Sequence, residues 1–280
     1  MIAALLGLAS AFSWGLGDFV GGLASRKIGA YRTVLIAGSI GLVFILVISP
    51  FIHEPFPDSH TIIWSCGAGI VGTIGLIAIY EAMRRGRLSV VAPLSALLGA
   101  AVPVVAGVFI DGAPNQKIYL AFAVALIAVV LISIEKTPDD NSQNIRYYLH
   151  LPLISGLAFG FYFILMHEAS QELVIGPIIV ARLSGIIAIA LFLLLKRESF
   201  RIESGNWRLL IINGFFDVSG NVFYILAGQA GRMDISAVLS SLYPGVTVLL
   251  AWLILKEKIQ RSQWAGIALA LVAIILMTTS

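Results

Sequence analysis

Apolar stretches of roughly 17 to 22 residues alternate with short polar breaks along the chain, the length that carries a helix across a hydrocarbon core of about 30 Å at 1.5 Å per residue. The pattern predicts spans over 2–22, 31–51, 62–83, 90–110, 118–134, 149–167, 175–195, 209–229, 234–255 and 263–279. Charged residues gather in the breaks, where water and headgroups solvate them, rather than along one face of amphipathic helices. The fold class expected is an all-α membrane protein with ten transmembrane helices. Met1 leads straight into IAALLGLASAFSWGLG with no basic residue before it, so this stretch reads as the first span rather than as a signal peptide.

The longest polar break, EKTPDDNSQNIRYY from Glu135 to Tyr148, has the Thr-Pro, Asp-Asp and Asn-Ser composition of a loop. It divides the chain into a first five-helix repeat, 1–135, a cytoplasmic linker, 136–148, and a second five-helix repeat, 149–280. A shift of 145 residues tests that division: Gly69, Gly75 and Ala82 fall on Gly214, Gly220 and Ala227, and GRLSVVAPLSAL lies over GRMDISAVLSSL without a gap. Ser89 and Asp234 also coincide, both good N-cap residues for the helix that each begins. With five spans in each half, the second half enters the membrane from the opposite side, which makes the halves inverted repeats of the kind many secondary transporters use.

Composition sharpens this picture. A mean hydropathy of +0.97 and 59% hydrophobic residues lie far above the soluble norm. The formal net charge of +3 comes from basic residues strung along loops rather than clustered, which excludes a nucleic-acid partner. The one cysteine, Cys66, lies inside an apolar run and allows no intrachain disulfide. With the N-terminus outside, 15 of the 18 basic residues fall in cytoplasmic segments, Lys117 and Arg232 fall outside, and Arg182 lies within a span. The positive-inside rule therefore predicts a multi-pass protein of the cell membrane with both termini on the outer side.

An ionisable group in mid-membrane is costly, from roughly 2.5 kcal/mol upward, so it faces a partner or a wet cavity. Asp217 lies near the middle of its span, with Asn213, Asn221 and Tyr224 at i−4, i+4 and i+7, one polar stripe that should look inward. The stripe reads as a substrate or proton site, or as an interhelical hydrogen-bond clamp. Arg182 lies at about the depth of Asp217 on the neighbouring antiparallel span. A pair between them would be either a gate that opens to grip a zwitterion or anion, or a permanent structural bridge. Trp14 and Asp18 share one face of the first span, for a cavity role or for solvation at the interface. Of the tyrosines Tyr80, Tyr162 and Tyr243, only Tyr243 is retained as a site residue, because it adjoins Pro244 and Ser240-Ser241, where an interrupted helix would expose carbonyls. Pro93 and Pro103 are expected to loosen the corresponding helix of the first half. Glu81 is read as paired locally with the arginines that follow it, and the glycine pairs Gly17-xxx-Gly21 and Gly156-xxx-Gly160 as packing signals without functional meaning.

The ten spans, the repeat and the string LSSLYPGVTVLLAWLILKEKIQRSQWAGIALALVAIILM, with its Pro244, Glu257 and Gly266 spacing, resemble the EamA-type members of the drug/metabolite transporter superfamily. AFSWGLGDFVGGLASRK near the start supports the resemblance. The first half departs from it, with Asp111 at the acidic position and Pro103 closer to that acid than Pro244 is to Glu257. The resemblance implies alternating access around a central cavity between the first four helices of each half, with the fifth and tenth spans peripheral. It implies small organic cargo, amino acids and other metabolites included.

The function expected is a secondary transporter of a small organic solute or metabolite, amino-acid or drug-like efflux included. Its substrate-binding candidates are Trp14, Asp18, Arg182, Asp217, Asn221, Tyr224 and Tyr243. The partners expected are a small-molecule substrate, the lipid bilayer and, as a candidate coupling ion, the proton; no cofactor and no metal are expected. The chain carries no H-E-x-x-H pair and no G-x-S-x-G elbow, and its four histidines lie in or near loops, so it is not expected to be an enzyme. A membrane-embedded enzyme and a non-transporting scaffold or lipid-handling protein are the alternative readings.

Overall fold

A computed structural model describes residues 2–85, 88–110, 112–133, 150–197, 206–256 and 260–278, and every regular element among them is helical. The 136–148 linker, Gly86-Arg87, Asp111 and Glu257 lie outside the described residues, as does the Ser89 side chain. In chain order the helices are α1 (Ile2–Ile28), α2 (Ala30–Ile48, with a 3-10 turn Ser49–Phe51), α3 (Ser59–Arg85), α4 (Leu88–Ile110) and α5 (Gln116–Ser133). They continue with α6 (His150–Ala169), α7 (Ile175–Leu195), α8 (Trp207–Gln229), α9 (Met233–Ser240), α10 (Tyr243–Leu255) and α11 (Arg261–Thr278). Among the described residues, seven stretches are long and apolar enough to cross a membrane: α1, α2 with its 3-10 turn, α3, α6, α7, α8, and α9 with α10 taken as one. The outer surface is apolar: Leu5, Phe12, Val47, Ile63, Phe109, Leu253 and Leu271 are each more than half exposed, as a lipid face requires. The protein is a multi-pass membrane protein.

The helices interleave across the two halves. α1 packs on α8 as α6 packs on α3, α4 on α6 as α9 and α10 pack on α1, and α3 on α7 as α2 packs on α8. α5 and α11, the last helices of each half, pair mainly with one another. Small residues allow these approaches, since a side chain at Gly69 would strike the Ala181 carbonyl and one at Gly214 would strike that of Ala37. Two serine hydroxyls reinforce the crossings: Ser10 on α1 donates to the Gly220 carbonyl on α8, and Ser155 on α6 donates to that of Gly75 on α3, both at 2.9 Å. These donors, like their acceptors, stand 145 residues apart, so the register seen in α3, α4, α8 and α9 extends to the first helix of each half.

The span 234–255 is interrupted where the sequence places a break: α9 ends at Ser240 and α10 begins at Tyr243. Pro244 supplies no N–H to the carbonyl four residues back, that of Ser240, and the Gly245 N–H bonds three residues back to Leu242 at 3.0 Å. In contrast, α4 runs unbroken through Pro93 and Pro103. Asp234 is not the N-cap of α9. Arg232 holds that position, and the Asp234 carboxylate takes the Arg232 guanidinium at 2.8 Å and the Ile235 N–H at 2.8 Å. At the start of α7, Glu54 from the α2–α3 connection accepts the N–H groups of Val174, Ile175 and Gly176 at 2.9–3.2 Å, a long-range cap set against the positive end of the helix dipole. Glu81 pairs locally as read, its two carboxylate oxygens taking Arg84 at 2.6 and 2.8 Å.

Candidate functional site

The site begins at the α1–α8 crossing, where three glycines act as notches. Gly17 on α1 lies against the backbone of Asp217, Gly220 on α8 lies under the Trp14 indole, and Gly21 lies under both the Tyr80 ring and the Asn213 amide. A Cβ at Gly21 or Gly220 would force the Tyr80 ring, the Asn213 amide or the Trp14 indole to shift, whereas one at Gly17 would reach only ordinary contact with the Asp217 backbone. The GxxxG spacing of α1 is thus a packing signal at the crossing that carries Asp18 and Asp217 to the cavity.

Across from this crossing, α7 presents Arg182. Its guanidinium forms an ion pair with the Asp217 carboxylate, the two side chains being only 10% and 13% exposed. Gly41 on α2 lies beside the guanidinium, and a Cβ there would strike the Gly214 carbonyl at 2.9 Å. Two hydrogen bonds extend the pair along α8: Asn221 Nδ2 donates to the Asp217 carbonyl at 2.8 Å, and the Tyr162 hydroxyl of α6 donates to Asn221 Oδ1. Toward the other end of α8, Tyr80 on α3 donates to Asn213 Oδ1 at 3.3 Å. The side-chain amide nitrogen of Asn213 is buried without a partner among the described residues.

These groups surround a central cavity whose empty space, open mouth included, is about 870 Å³. Six of the seven residues chosen from sequence line it: Trp14, Asp18, Arg182, Asp217, Asn221 and Tyr243. Tyr224 does not. Its hydroxyl is taken by the Phe163 carbonyl at 2.9 Å, and its ring packs on Phe163 and Trp14 at centroid distances of 4.8 and 5.9 Å, so it backs the cavity wall. It borders a second, smaller hollow with His167, Ser170 and Gln229 instead. At i+7 from Asp217 it shares a helix face with the acid but lies about 10 Å along the axis, far enough to pass the cavity's end.

Phe159, Tyr162, Phe163, Met166 and Thr73 line the cavity and were not chosen from sequence. Phe159 carried a legible signal: it stands 145 residues from Trp14, and its ring lies over Gly75 as the indole lies over Gly220. Tyr162 carried none, since tyrosine on an apolar helix is equally at home in the interfacial belt. Most of the lining is apolar; its charged groups come from α1, α7 and α8, and the hydroxyls of Thr73, Tyr162 and Tyr243 from α3, α6 and α10. Such an arrangement can orient a small solute by charge while holding its body by contact. Among the described residues, no group of three His, Cys, Asp or Glu side chains is placed to hold a metal ion.

A sequence profile described as the EamA-like transporter family matches residues 1–134 and 147–279. An uncharacterized protein of Methanocaldococcus jannaschii is 32% identical over 102 residues, covering 36% of this chain and 74% of its own length. One protein of known crystal structure, 16% identical, superposes with a TM-score of 0.71 over 99% of this chain and 96% of its own, a likeness of fold alone.

Proposed function

We propose that this chain, which belongs to the EamA-like transporter family, is a secondary carrier that moves a small organic solute by alternating access around the central cavity. The observation that carries this reading is the cavity itself: an ion pair and a further carboxylate project into an apolar, ring-lined space within a membrane bundle. Buried charges at membrane depth are retained where they contact cargo or a coupling ion. The binding groups in this reading are Trp14, Asp18, Arg182, Asp217, Asn221 and Tyr243, with Tyr162 added and Tyr224 as support behind the wall. The proton is the coupling ion.

The reciprocal packing of the halves supports the inverted-repeat plan of ten spans, because two five-span units that exchange roles around one site can open to either side in turn. In this plan 136–148 is a cytoplasmic linker and both termini lie outside. A C-terminal reporter that is active only in the cytoplasm stays silent under this orientation, and activity would reverse it.

The test of transport is uptake into proteoliposomes, screened with solutes that first raise the melting temperature of the purified protein. Saturable uptake is expected, with Asp217→Asn slowing it and changing its pH dependence. Wild-type uptake and an unchanged pH profile in Asp217→Asn would make the Arg182–Asp217 pair a clamp. Absence of saturable flux for every stabilising solute would remove the carrier reading and leave a scaffold or lipid-handling role.

A further inference from the structure

The charges around the cavity do not balance, and the imbalance bears on the chemical class of cargo. Asp217 is paired with Arg182. Asp18, which also lines the cavity, is 6% exposed, and among the described residues no cationic side chain pairs with it. Its acidic neighbour across the α1–α8 crossing is Asp217, whose backbone lies against Gly17. The space therefore holds two acidic side chains against one guanidinium, and the one in excess is neutralised by a proton or by a cationic cargo.

Resting on the carrier reading above, we propose that the cargo is a hydrophobic amine whose ammonium is received by Asp18. An ammonium supplies the missing positive charge without disturbing any existing pair. An anionic cargo would add a like charge beside two acids. A zwitterion would need Arg182 for its carboxylate, and so would have to loosen the Arg182–Asp217 pair that an amine leaves in place. A free metal ion is a poor fit, because hard cations take more oxygen ligands than the cavity gathers, and among the described residues Asp18 and Asp217 come with no third acidic, histidine or cysteine side chain. The rings of Trp14, Phe163 and Tyr243 and the small residues opposite give the amine's body an apolar bed, and ring faces also attract cations.

The experiment compares hydrophobic primary amines of rising size, butylamine, 2-phenylethylamine and tryptamine, each beside its neutral alcohol analogue and beside phenylalanine as the zwitterion. Binding is measured by calorimetry on the purified wild type and on Asp18→Asn, which keeps the side chain's shape. At least one amine is expected to bind while its alcohol does not, and Asp18→Asn is expected to weaken it about 10- to 100-fold, the loss of one charge-assisted contact. Equal binding of amine and alcohol, or an Asp18→Asn protein that binds the amine as the wild type does, overturns the assignment. Proteoliposome flux of the same probes separates the two ideas: saturable uptake of phenylalanine without any amine removes the amine and keeps the carrier, whereas no flux of any probe or stabilising solute removes both. The wild-type amine and alcohol series decides the cargo class even if Asp18→Asn fails to fold.

Discussion

The two halves of this protein share a scaffold and differ in what they place inside it. Ser10 grips the Gly220 carbonyl as Ser155 grips that of Gly75. Trp14 covers Gly220 as Phe159 covers Gly75. Gly214 lies against the Ala37 carbonyl as Gly69 lies against that of Ala181, and Gly41 lies against Gly214 as Gly185 lies against Gly69. These second-helix contacts run at a spacing of 144 rather than 145, one residue out of register with the rest. With that correction, Arg182 corresponds to Gly38, Asp217 to Gly72, Asn221 to Leu76 and Asp18 to Phe163, and all four counterparts line the same cavity. The helix–helix contacts are duplicated because they set the geometry of the crossings. The charges are not duplicated, because one ion pair suffices to polarise the cavity and a second set would bury further charge in the membrane. The broken α9–α10 opposite the unbroken α4 is a second departure, and it too borders the cavity, at Tyr243.

The largest test of this division acts on the unshared part. Arg182→Ala leaves the Asp217 carboxylate without its cation, and about 3–5 kcal/mol of stability is expected to be lost in reversible detergent unfolding. The double variant Arg182→Ala, Asp217→Ala is expected to regain part of that loss. A neutral single variant would mean that the pair contributes nothing in the membrane.

The shared part is tested by symmetry. Gly69→Ala and Gly214→Ala each force a methyl against a backbone carbonyl, which cannot swing away as a flexible side chain would, and each is expected to cost roughly 1–3 kcal/mol. Clear tolerance in one half alone would break the equivalence of the crossings.

The serine pair gives the smallest and sharpest comparison. Ser10→Ala is expected to cost about 1 kcal/mol, the net worth of one buried hydrogen bond. Ser155→Ala is expected to cost more, because the Ser95 hydroxyl donates to Ser155 at 2.9 Å and would be orphaned. Its counterpart Ser240 has no side-chain partner to lose. Equal costs in the same unfolding measurement would show that the Ser95 link carries no energy.

Local physics accounts for what the sequence by itself determined. Bilayer thickness imposes a run length that any one segment must satisfy alone, so helix positions were legible, with 175–195 predicted where α7 is found. A polar residue in such a run is conspicuous without its partner, which is why Asp18, Arg182 and Asp217 stood out. Helix periodicity also turned the Asp217 stripe inward. Only the tertiary structure decided how far along a face the cavity reaches, which leaves Tyr224 behind its wall and brings Tyr162 and Phe159 to its surface. It also decided that Glu54 caps α7 across about 120 positions of chain, and that Arg182 meets Asp217 rather than Asp18. Those outcomes depend on where glycine notches such as Gly21, Gly41 and Gly220 let particular helices cross. A crossing is a property of two surfaces together, not of either sequence segment alone.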